Sequence, residues 1–177
     1  MTLFALTGTP GTGKTSVSAE LRSRGYDVID MNDHIRSHGL LGELDAKRDT
    51  HEVDLDALND SLQSYRDDPG LHLMDSHLSH FMDCSGIIVL RCDPDTLCKR
   101  LEQRGYNHDK ILENVQSEVL DVILCEAMDS DIPVYEIDCS AGNVSDSADS
   151  VEEILNGDTD SHLPGKTDWS QEMDRWF

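Results

Sequence analysis

The sequence feature that most constrains this chain is the stretch from Gly8 to Thr15. It matches the phosphate-binding loop pattern G-x-x-x-x-G-K-[ST] at every fixed position. Residues 2–7 before it are short and apolar and predict a buried strand, and a helical pattern begins at Lys14. A glycine-rich loop between a strand and a helix N-terminus turns backbone N–H groups inward, where the helix dipole adds partial positive charge. The alternative is a strand-to-helix turn that binds nothing.

Two side chains of this loop have expected roles if it binds a nucleoside triphosphate. Lys14 would reach the β- and γ-phosphates, and the Thr15 hydroxyl would bind Mg²⁺. The sequence has no N-K-x-D motif, which disfavours a GTPase. The loop therefore predicts phosphoryl chemistry on a nucleotide without naming the second substrate.

The charge balance limits the partners of the chain. Its 177 residues suffice for one domain, and 36 acidic against 14 basic residues give a net charge of −22. Such a surface repels nucleic acid and anionic membranes, so we expect no sequence-specific nucleic-acid binding and no membrane partner. The acidic residues are spread along the chain, which indicates either adaptation to high salt or attraction to a basic partner protein.

Cysteine usage and hydropathy indicate a compartment. The five cysteines have no C-x-x-C spacing and several lie in apolar runs, as reduced core thiols of an intracellular protein would. The apolar start is too short for a signal peptide and lacks a basic region. No run approaches the roughly 20 apolar residues of a membrane span. We therefore expect a cytoplasmic protein.

The pattern of apolar residues predicts alternating strands and helices. Strands are expected at 2–7, 27–30, 71–75, 86–91 and 133–138. Helices are expected at 14–24, from a cap at Asn32 or Asp33, at 54–65, from Asp93, from Asp109 through Ala127 without a break, and at 144–155. Residues 39–54 show no sustained period and predict a mobile insertion.

This alternation implies an α/β fold with a parallel sheet covered by helices on both faces. Ligands of such sheets lie beyond the carboxyl ends of the strands. Four polar residues are expected at that edge beside the loop, namely Asp30, Asp75, Arg91 and Asp138.

Asp75 and His77 follow the third expected strand. Asp75 is where a Walker B carboxylate binds Mg²⁺, although a turn or helix-capping aspartate is the alternative. His77 could orient a water or an acceptor hydroxyl, since the usual pKa of histidine lies near neutrality; the alternative is a histidine bonded to a turn. His77 and His80 have H-x-x-H spacing, but no further cluster supports a zinc site.

Three arginines are candidates for clamping phosphate. Arg36 lies in the segment expected to contact an acceptor, and Arg100 and Arg104 share a helix face before Gly105. The alternative is pairing with surface carboxylates, which contributes about 0–1 kcal/mol per pair.

Several stretches together resemble the adenylate kinase isoenzyme 6 family, an atypical adenylate kinase and ATPase of archaea and eukaryotic nuclei. They are the loop at 8–15, Asp75-x-His77, and Arg104-Gly105-Tyr106 leading to Lys110-Ile111-x-Glu113-Asn114. The resemblance covers roughly residues 1–140. The acidic composition makes the chain similar to archaeal, halophilic members of this family. The resemblance implies a P-loop NTPase three-layer sandwich with a five-stranded parallel sheet of order 2-3-1-4-5.

The resemblance also implies site residues. Gly11, Gly13, Lys14, Thr15 and Ser16 would hold the ATP phosphates and Mg²⁺, with Asp75 on the metal and His77 and Arg104 in catalysis. The kinase domain would span 1–156, with an acceptor-binding segment at about 30–53 that carries Asp33 and Arg36. A lid at about 103–113 would place Arg104 on the ATP phosphates, with Arg100 as a further substrate-binding candidate. The tail at 157–177 carries no family residue.

The activity that the resemblance implies is transfer of phosphate from ATP to nucleoside monophosphates, AMP preferred, together with ATP hydrolysis. Family members also bind a platform protein of the small ribosomal subunit, act transiently on the pre-ribosomal small subunit, and promote maturation of the 3′ end of its rRNA (16S in this case). Residues 37–54 depart from the family pattern, which leaves the acceptor open. An assembly ATPase without a metabolic role and a small-molecule kinase of the shikimate or gluconate type are the alternatives.

Overall fold

A computed structural model describes residues 2–45 and 50–177 of the chain. Strands and helices alternate along most of it. The strands are β1 (Leu3–Thr7), β2 (Asp27–Asp30), β3 (Leu41–Asp45), β4 (Thr50–Val53), β5 (His72–Asp75), β6 (Gly86–Arg91) and β7 (Val134–Asp138). The α-helices are α1 (Lys14–Ser23), α2 (Met31–Ser37), α3 (Leu55–Ser61), α4 (Gln63–Asp67), α5 (Pro94–Gln103), α6 (His108–Val119), α7 (Val122–Met128), α8 (Val144–Leu155) and α9 (Met173–Trp176). Short 3-10 turns lie at Ser79–Phe81, Asp160–His162 and Ser170–Glu172.

Five of these strands form a parallel sheet in the order β2-β5-β1-β6-β7. Numbered without the β3–β4 hairpin, this order is 2-3-1-4-5, so the expected topology is confirmed. The central strand is β1, where Leu6 lies opposite Asp75 of β5 on one side and Ile88 of β6 on the other. The loop that follows β1 therefore emerges at the middle of the sheet edge.

Helices cover both faces of the sheet, as the three-layer prediction requires. On one face α1 and α8 contribute Val17, Leu21 and Val151 to a buried cluster with β1 and β6. On the other face α3 and α7 bury Leu58 and Leu124. All six residues of β6 are buried, because the strand is paired on both edges and covered on both faces.

Residues 39–54, predicted as a mobile insertion without strands, include an antiparallel hairpin. Leu41 pairs with Val53 and Asp45 pairs with Thr50, with a shift of register between Leu41 and Leu44. Residues 46–49 lie outside the described part of the chain. The two strands are short and mostly polar. The sequence therefore shows no alternation of apolar residues that would have predicted them.

The single long helix expected from Asp109 is also wrong. The chain forms α6, capped by Asn107, and then α7, and between them Asp121 adopts a left-handed conformation with φ 54°. The Asp121 carboxylate accepts a hydrogen bond from Arg91 of β6. This tertiary contact breaks the helix although the apolar period continues across the break.

The cap of α2 differs from the expected one. The Asp30 carboxylate accepts hydrogen bonds from the N–H groups of Asn32 and Asp33, at 2.9 and 3.1 Å. Asp30 therefore caps the helix, and Asn32 and Asp33 lie in its first turn. The carboxylate at the end of β2 therefore binds the backbone at the start of α2.

The C-terminal segment, residues 157–177, packs on the domain. Trp169 and Trp176 contact a cluster that includes Leu97 of α5 and Val115 of α6. The Gln116 amide donates to the Trp176 carbonyl at 2.7 Å, and Arg175 pairs with Asp95 at 2.8 Å. Among the described residues, no helix is both long and apolar enough to cross a membrane.

Candidate active site

Positive φ angles at three glycines shape the loop between β1 and α1. Gly8, Gly11 and Gly13 have φ angles of 139°, 100° and 120°. A Cβ on Gly8 would lie 2.4 Å from the Leu90 carbonyl oxygen, and one on Gly11 would lie 2.7 Å from the Leu97 side chain. Only glycine tolerates both the conformation and the close packing. Of the two fixed glycines of the motif, Gly8 is required by close packing and by its φ angle, and Gly13 by its φ angle alone.

Buried hydroxyls and Lys14 hold the loop together. The Thr9 carbonyl accepts from the Thr12 N–H at 3.2 Å, the Thr12 hydroxyl at 2.9 Å and Lys14 Nζ at 3.1 Å. Lys14 Nζ also donates to the Gly8 carbonyl. The ammonium group therefore lies across the mouth of the loop, where a phosphate would arrive.

Burial lowers the pKa of Lys14 to about 8, although the carboxylates of Asp75 and Glu118 oppose this shift. The Arg104 guanidinium contributes to the lowering. A cation held in a partly desolvated position interacts strongly with an incoming anion. Lys14 thus has the position and the charge that its expected role requires.

Thr15 and Ser16 are exposed in the first turn of α1. Gly13 occupies the N-cap position of this helix, and no side chain caps the first turn. The free N–H groups at this end attract an anion. Both hydroxyls are therefore open to a ligand held at the helix N-terminus.

Asp75 ends β5 directly beside β1, which places it next to the loop. Burial raises the pKa of its carboxyl group, and the positive charge of Lys14 opposes that rise. A carboxylate and a hydroxyl, from Asp75 and Thr15, are oxygen ligands of the kind that Mg²⁺ takes together with substrate phosphates. The donor set fits magnesium.

His77 lies two residues after Asp75 and is exposed. Desolvation by the surrounding protein atoms, and then the charges of Lys14 and His80, lower its pKa to about 4, which favours the neutral imidazole. Within residues 2–45 and 50–177 its ring has no hydrogen-bond partner, so it is available to a ligand or a water.

His80 has a different environment, although it lies only three residues on. Its ring is buried between the Thr7 hydroxyl and the Glu126 carboxylate, at 3.1 Å from each. The described residues hold no group of three or more His, Cys, Asp or Glu side chains arranged for a metal. The two histidines of the H-x-x-H spacing therefore lie in different environments, since His77 is exposed and His80 is buried and hydrogen-bonded.

A cavity of about 340 Å³ opens beside the loop. Its lining is Gly11, Thr12, Gly13, Ser16, Val17, Arg100, Gln103, Arg104, Cys139, Gly142, Asn143, Val144 and Ser147. The cavity lies between the loop, the end of α5 and the start of α8. It is next to the phosphate-binding N–H groups, where the nucleoside of a triphosphate has room.

Arg100 and Arg104 both line this cavity. Arg100 donates to the Thr12 carbonyl at 3.1 Å and to the Cys139 carbonyl at 2.9 Å, so it braces the loop. Arg104 is exposed and has no ion-pair partner in the described part of the chain. Gly105, with φ 75°, then turns the chain into α6.

Asp33 and Arg36, the two residues expected to bind the acceptor, form an ion pair with each other on α2. Their side chains are 70% and 62% exposed. An exposed pair of this type contributes about 0–1 kcal/mol, so a phosphate could replace the carboxylate at little cost.

Arg91 lies at the carboxyl end of β6, as expected, but its side chain is buried and paired with carboxylates. It donates to Glu118 and Glu136 at 2.8 Å each and to Asp121, and its side chain is 1% exposed. We call Arg91, Glu118, Asp121 and Glu136 the buried ion network. One sequence signal could have found it, since Glu118 lies on the apolar face of α6.

The five cysteines are free thiols, as expected. Cys84, Cys92 and Cys139 are buried, Cys98 is partly buried and Cys125 is exposed. Burial raises the pKa of Cys84 and Cys92 to about 11 and about 12. The buried thiols therefore act as core side chains.

Comparisons with known proteins agree with this geometry. The family described as "AAA domain" matches residues 5–121. The chain is 37% identical over 169 residues to a protein of Methanocaldococcus jannaschii, which covers 95% of this chain and 93% of that one. It is 40% identical over 176 residues to a protein of Archaeoglobus fulgidus, with coverages of 97% and 94%. Both relatives are named "Putative adenylate kinase".

Solved structures share the fold at low sequence identity. A deoxyadenosine kinase from M. mycoides superposes with a TM-score of 0.57 at 16% identity, covering 87% of this chain and 98% of that one. A shikimate kinase from Bacteroides thetaiotaomicron gives 0.60 at 18% identity, with the same coverages. At these identities the likeness shows the fold alone.

Proposed function

This chain belongs to the same family as the archaeal adenylate kinase relatives, and we propose that it is a nucleoside monophosphate kinase that converts ATP and AMP into two ADP. The observation that carries the proposal is the pairing of a complete phosphate loop with a cavity of about 340 Å³ that Arg104 overlooks. The separate segment of α2 and the β3–β4 hairpin would bind the second nucleotide. Phosphoryl transfer needs two bound substrates and neutralised charge more than covalent chemistry.

The donor side would be held by the loop. The N–H groups of the first turn of α1 and Lys14 would bind the phosphates, with Arg104 closing over them from the lid. Thr15 and Asp75 would hold Mg²⁺, which when bound offsets phosphate charge. Gly11, Gly13 and Ser16 line the cavity and would let the phosphates approach the backbone closely.

The acceptor side would use Arg36. Its ion pair with Asp33 is exposed, so exchange of the carboxylate for an acceptor phosphate costs little. Asp33 would then be free to bind a polar group of the nucleoside. The expected lid, at about 103–113, contains one internal contact. Lys110 Nζ lies 4.6 Å from the centre of the Tyr106 ring.

A second candidate function is ATP hydrolysis coupled to assembly of the small ribosomal subunit. His77 favours it, because an exposed neutral imidazole beside the loop can orient a water in place of an acceptor. The charge of −22 supports a basic ribosomal protein of the platform as partner, since opposite charge speeds encounter. The same charge supports adaptation to high salt. In this second function the protein would act in the cytoplasm, in maturation of the rRNA 3′ end.

The test supplies purified protein with ATP and Mg²⁺, with and without AMP. We expect two ADP for each AMP consumed, at a rate well above that of phosphate release. ADP formation that never exceeds phosphate release would leave only the ATPase. Consumption of ATP only with shikimate or gluconate would support a small-molecule kinase instead.

Replacement of His77 by Ala should lower ATP hydrolysis more than phosphoryl transfer to AMP. The physical reason is that an acceptor phosphate is held by its own binding site, whereas a water needs a hydrogen-bond partner to be oriented. Loss of one positioned acid or base costs about 100-fold or more in rate, and we expect a loss of this order in ATP hydrolysis. Release of phosphate and formation of ADP from AMP are measured side by side.

The matched variant is His77→Gln, which keeps a hydrogen-bonding group and should recover part of the hydrolysis. Equal losses of both activities in His77→Ala would refute the water-orienting role.

A further inference from the structure

We propose that Glu118 is a positioning residue for the donor phosphate loop, and that Trp169 of the C-terminal segment holds Glu118 in place. The inference deepens the proposed function and rests on it, because it assumes a nucleotide at the loop. It gives residues 157–177 a part in nucleotide binding.

The two carboxylate oxygens of Glu118 have separate partners. Oε1 accepts from Arg91 Nε at 2.8 Å, from the Cys92 N–H at 3.1 Å and from Trp169 Nε1 at 3.4 Å. Oε2 accepts from the Thr9 hydroxyl at 2.5 Å. One oxygen thus fixes the carboxylate to the end of β6 and the tail, while the other holds the loop.

Thr9 is the loop residue on which the other contacts depend. It is 1% exposed, and its carbonyl accepts from Thr12 twice and from Lys14. A hydrogen bond that a hydroxyl donates to a carboxylate is charge-assisted, so it is shorter and stronger than a bond between neutral groups. Holding the Thr9 hydroxyl therefore fixes the carbonyl to which Lys14 and Thr12 bond, before a phosphate arrives.

The C-terminal segment closes the other side of the buried ion network. The N–H groups of Gly165, Lys166 and Thr167 donate to Glu136 Oε2 at 2.9, 3.1 and 3.4 Å. Glu136 Oε1 bonds Arg91, which in turn bonds Glu118. A chain of buried polar contacts thus runs from the segment to the loop.

A purely structural role for Glu118 makes a different prediction from a positioning role. If Glu118 only offsets the charge of Arg91, then removing the Thr9 hydroxyl leaves nucleotide binding unchanged. If Glu118 positions the loop, Thr9→Val weakens binding although the Arg91 pairs stay intact. Valine matches threonine in shape, so this variant isolates the hydrogen bond.

The experiment measures ADP affinity by calorimetry and KM for ATP against kcat in the full chain. We expect Thr9→Val, Glu118→Gln and Trp169→Phe each to weaken ADP binding by about three- to 30-fold. The double variant Thr9→Val with Glu118→Gln should lose less than the product of the two single losses. Thr9→Ser keeps the hydroxyl and should bind ADP about as tightly as the wild type does.

Trp176→Phe is the matched control. Trp176 packs in the same cluster, but its indole Nε1 has no hydrogen-bond partner among the described residues. This variant should bind ADP as the wild type does. Wild-type affinity in both Thr9→Val and Trp169→Phe, or equal losses in Trp169→Phe and Trp176→Phe, would overturn the inference. Wild-type protein that binds neither ADP nor ATP would overturn the proposed function instead.

Discussion

Replacement of Lys14 by Ala is expected to lower kcat for ADP formation by about 100- to 1,000-fold, the loss seen when one charge-stabilising group is removed from a reaction site. Lys14 Nζ lies over the loop carbonyls of Gly8 and Thr9, where the phosphates of the donor would be bound. Alanine leaves the N–H groups of the loop but supplies no charge for the transferring group. Transfer to AMP and hydrolysis should fall together, because both use the same donor.

Lys99→Ala is the control for this variant. Lys99 is an exposed residue of α5 and does not line the cavity, so the same change of charge there should leave kcat unaltered. A thermal unfolding curve checks that Lys14→Ala is folded. Turnover within a few fold of the wild type in a folded Lys14→Ala protein would remove the basis of the kinase and ATPase proposals alike.

Replacement of Arg91 by Ala is expected to lower the free energy of unfolding by about 3–5 kcal/mol. The side chains of Arg91, Glu118 and Glu136 are 1%, 3% and 2% exposed, so removing the cation leaves two carboxylates buried without their counter-charge. A loss of this size is a large part of the about 5–15 kcal/mol that stabilises an ordinary domain. Urea unfolding followed by circular dichroism measures it.

Two further variants make the result interpretable. Arg175→Ala removes an exposed pair with Asp95 and should cost about 0–1 kcal/mol. Arg91→Lys keeps a positive charge with fewer donors, so it should fall between Arg91→Ala and the wild type even if the alanine variant does not fold. Equal stability of Arg91→Ala and Arg175→Ala would show that the buried ion network contributes no stability.

The sequence was most informative where the structure depends on neighbouring residues. The strand at 27–30, the strand at 86–91 and the helix at 144–155 were predicted with the bounds that the structure has. Their apolar residues recur with the period of the element, and their ends carry glycine or capping side chains. The strand order 2-3-1-4-5 came from the family resemblance and was confirmed.

Two of the differences between expectation and structure have a common physical cause, which is bonding between residues far apart in the chain. The break at Asp121 follows from its bond to Arg91, thirty positions earlier. The burial of Arg91 depends on carboxylates from α6, the α6–α7 turn and β7, none of which its own strand reveals. The roles expected for all the site residues stay predictions, namely those of Gly11, Gly13, Lys14, Thr15, Ser16, Asp33, Arg36, Asp75, His77, Arg100 and Arg104.

By itself, the sequence determined where the phosphate loop lies, because its glycines, lysine and threonine all fall within residues 8–15 and match one local pattern. The tertiary structure alone decided how that loop is held. Thr9 is fixed by Glu118, which lies 109 positions later, and Glu118 is fixed by Arg91 and Trp169 from two other parts of the chain. Such contacts form only when the sheet, α6 and the C-terminal segment have packed together, since each buried charge needs partners that the others bring.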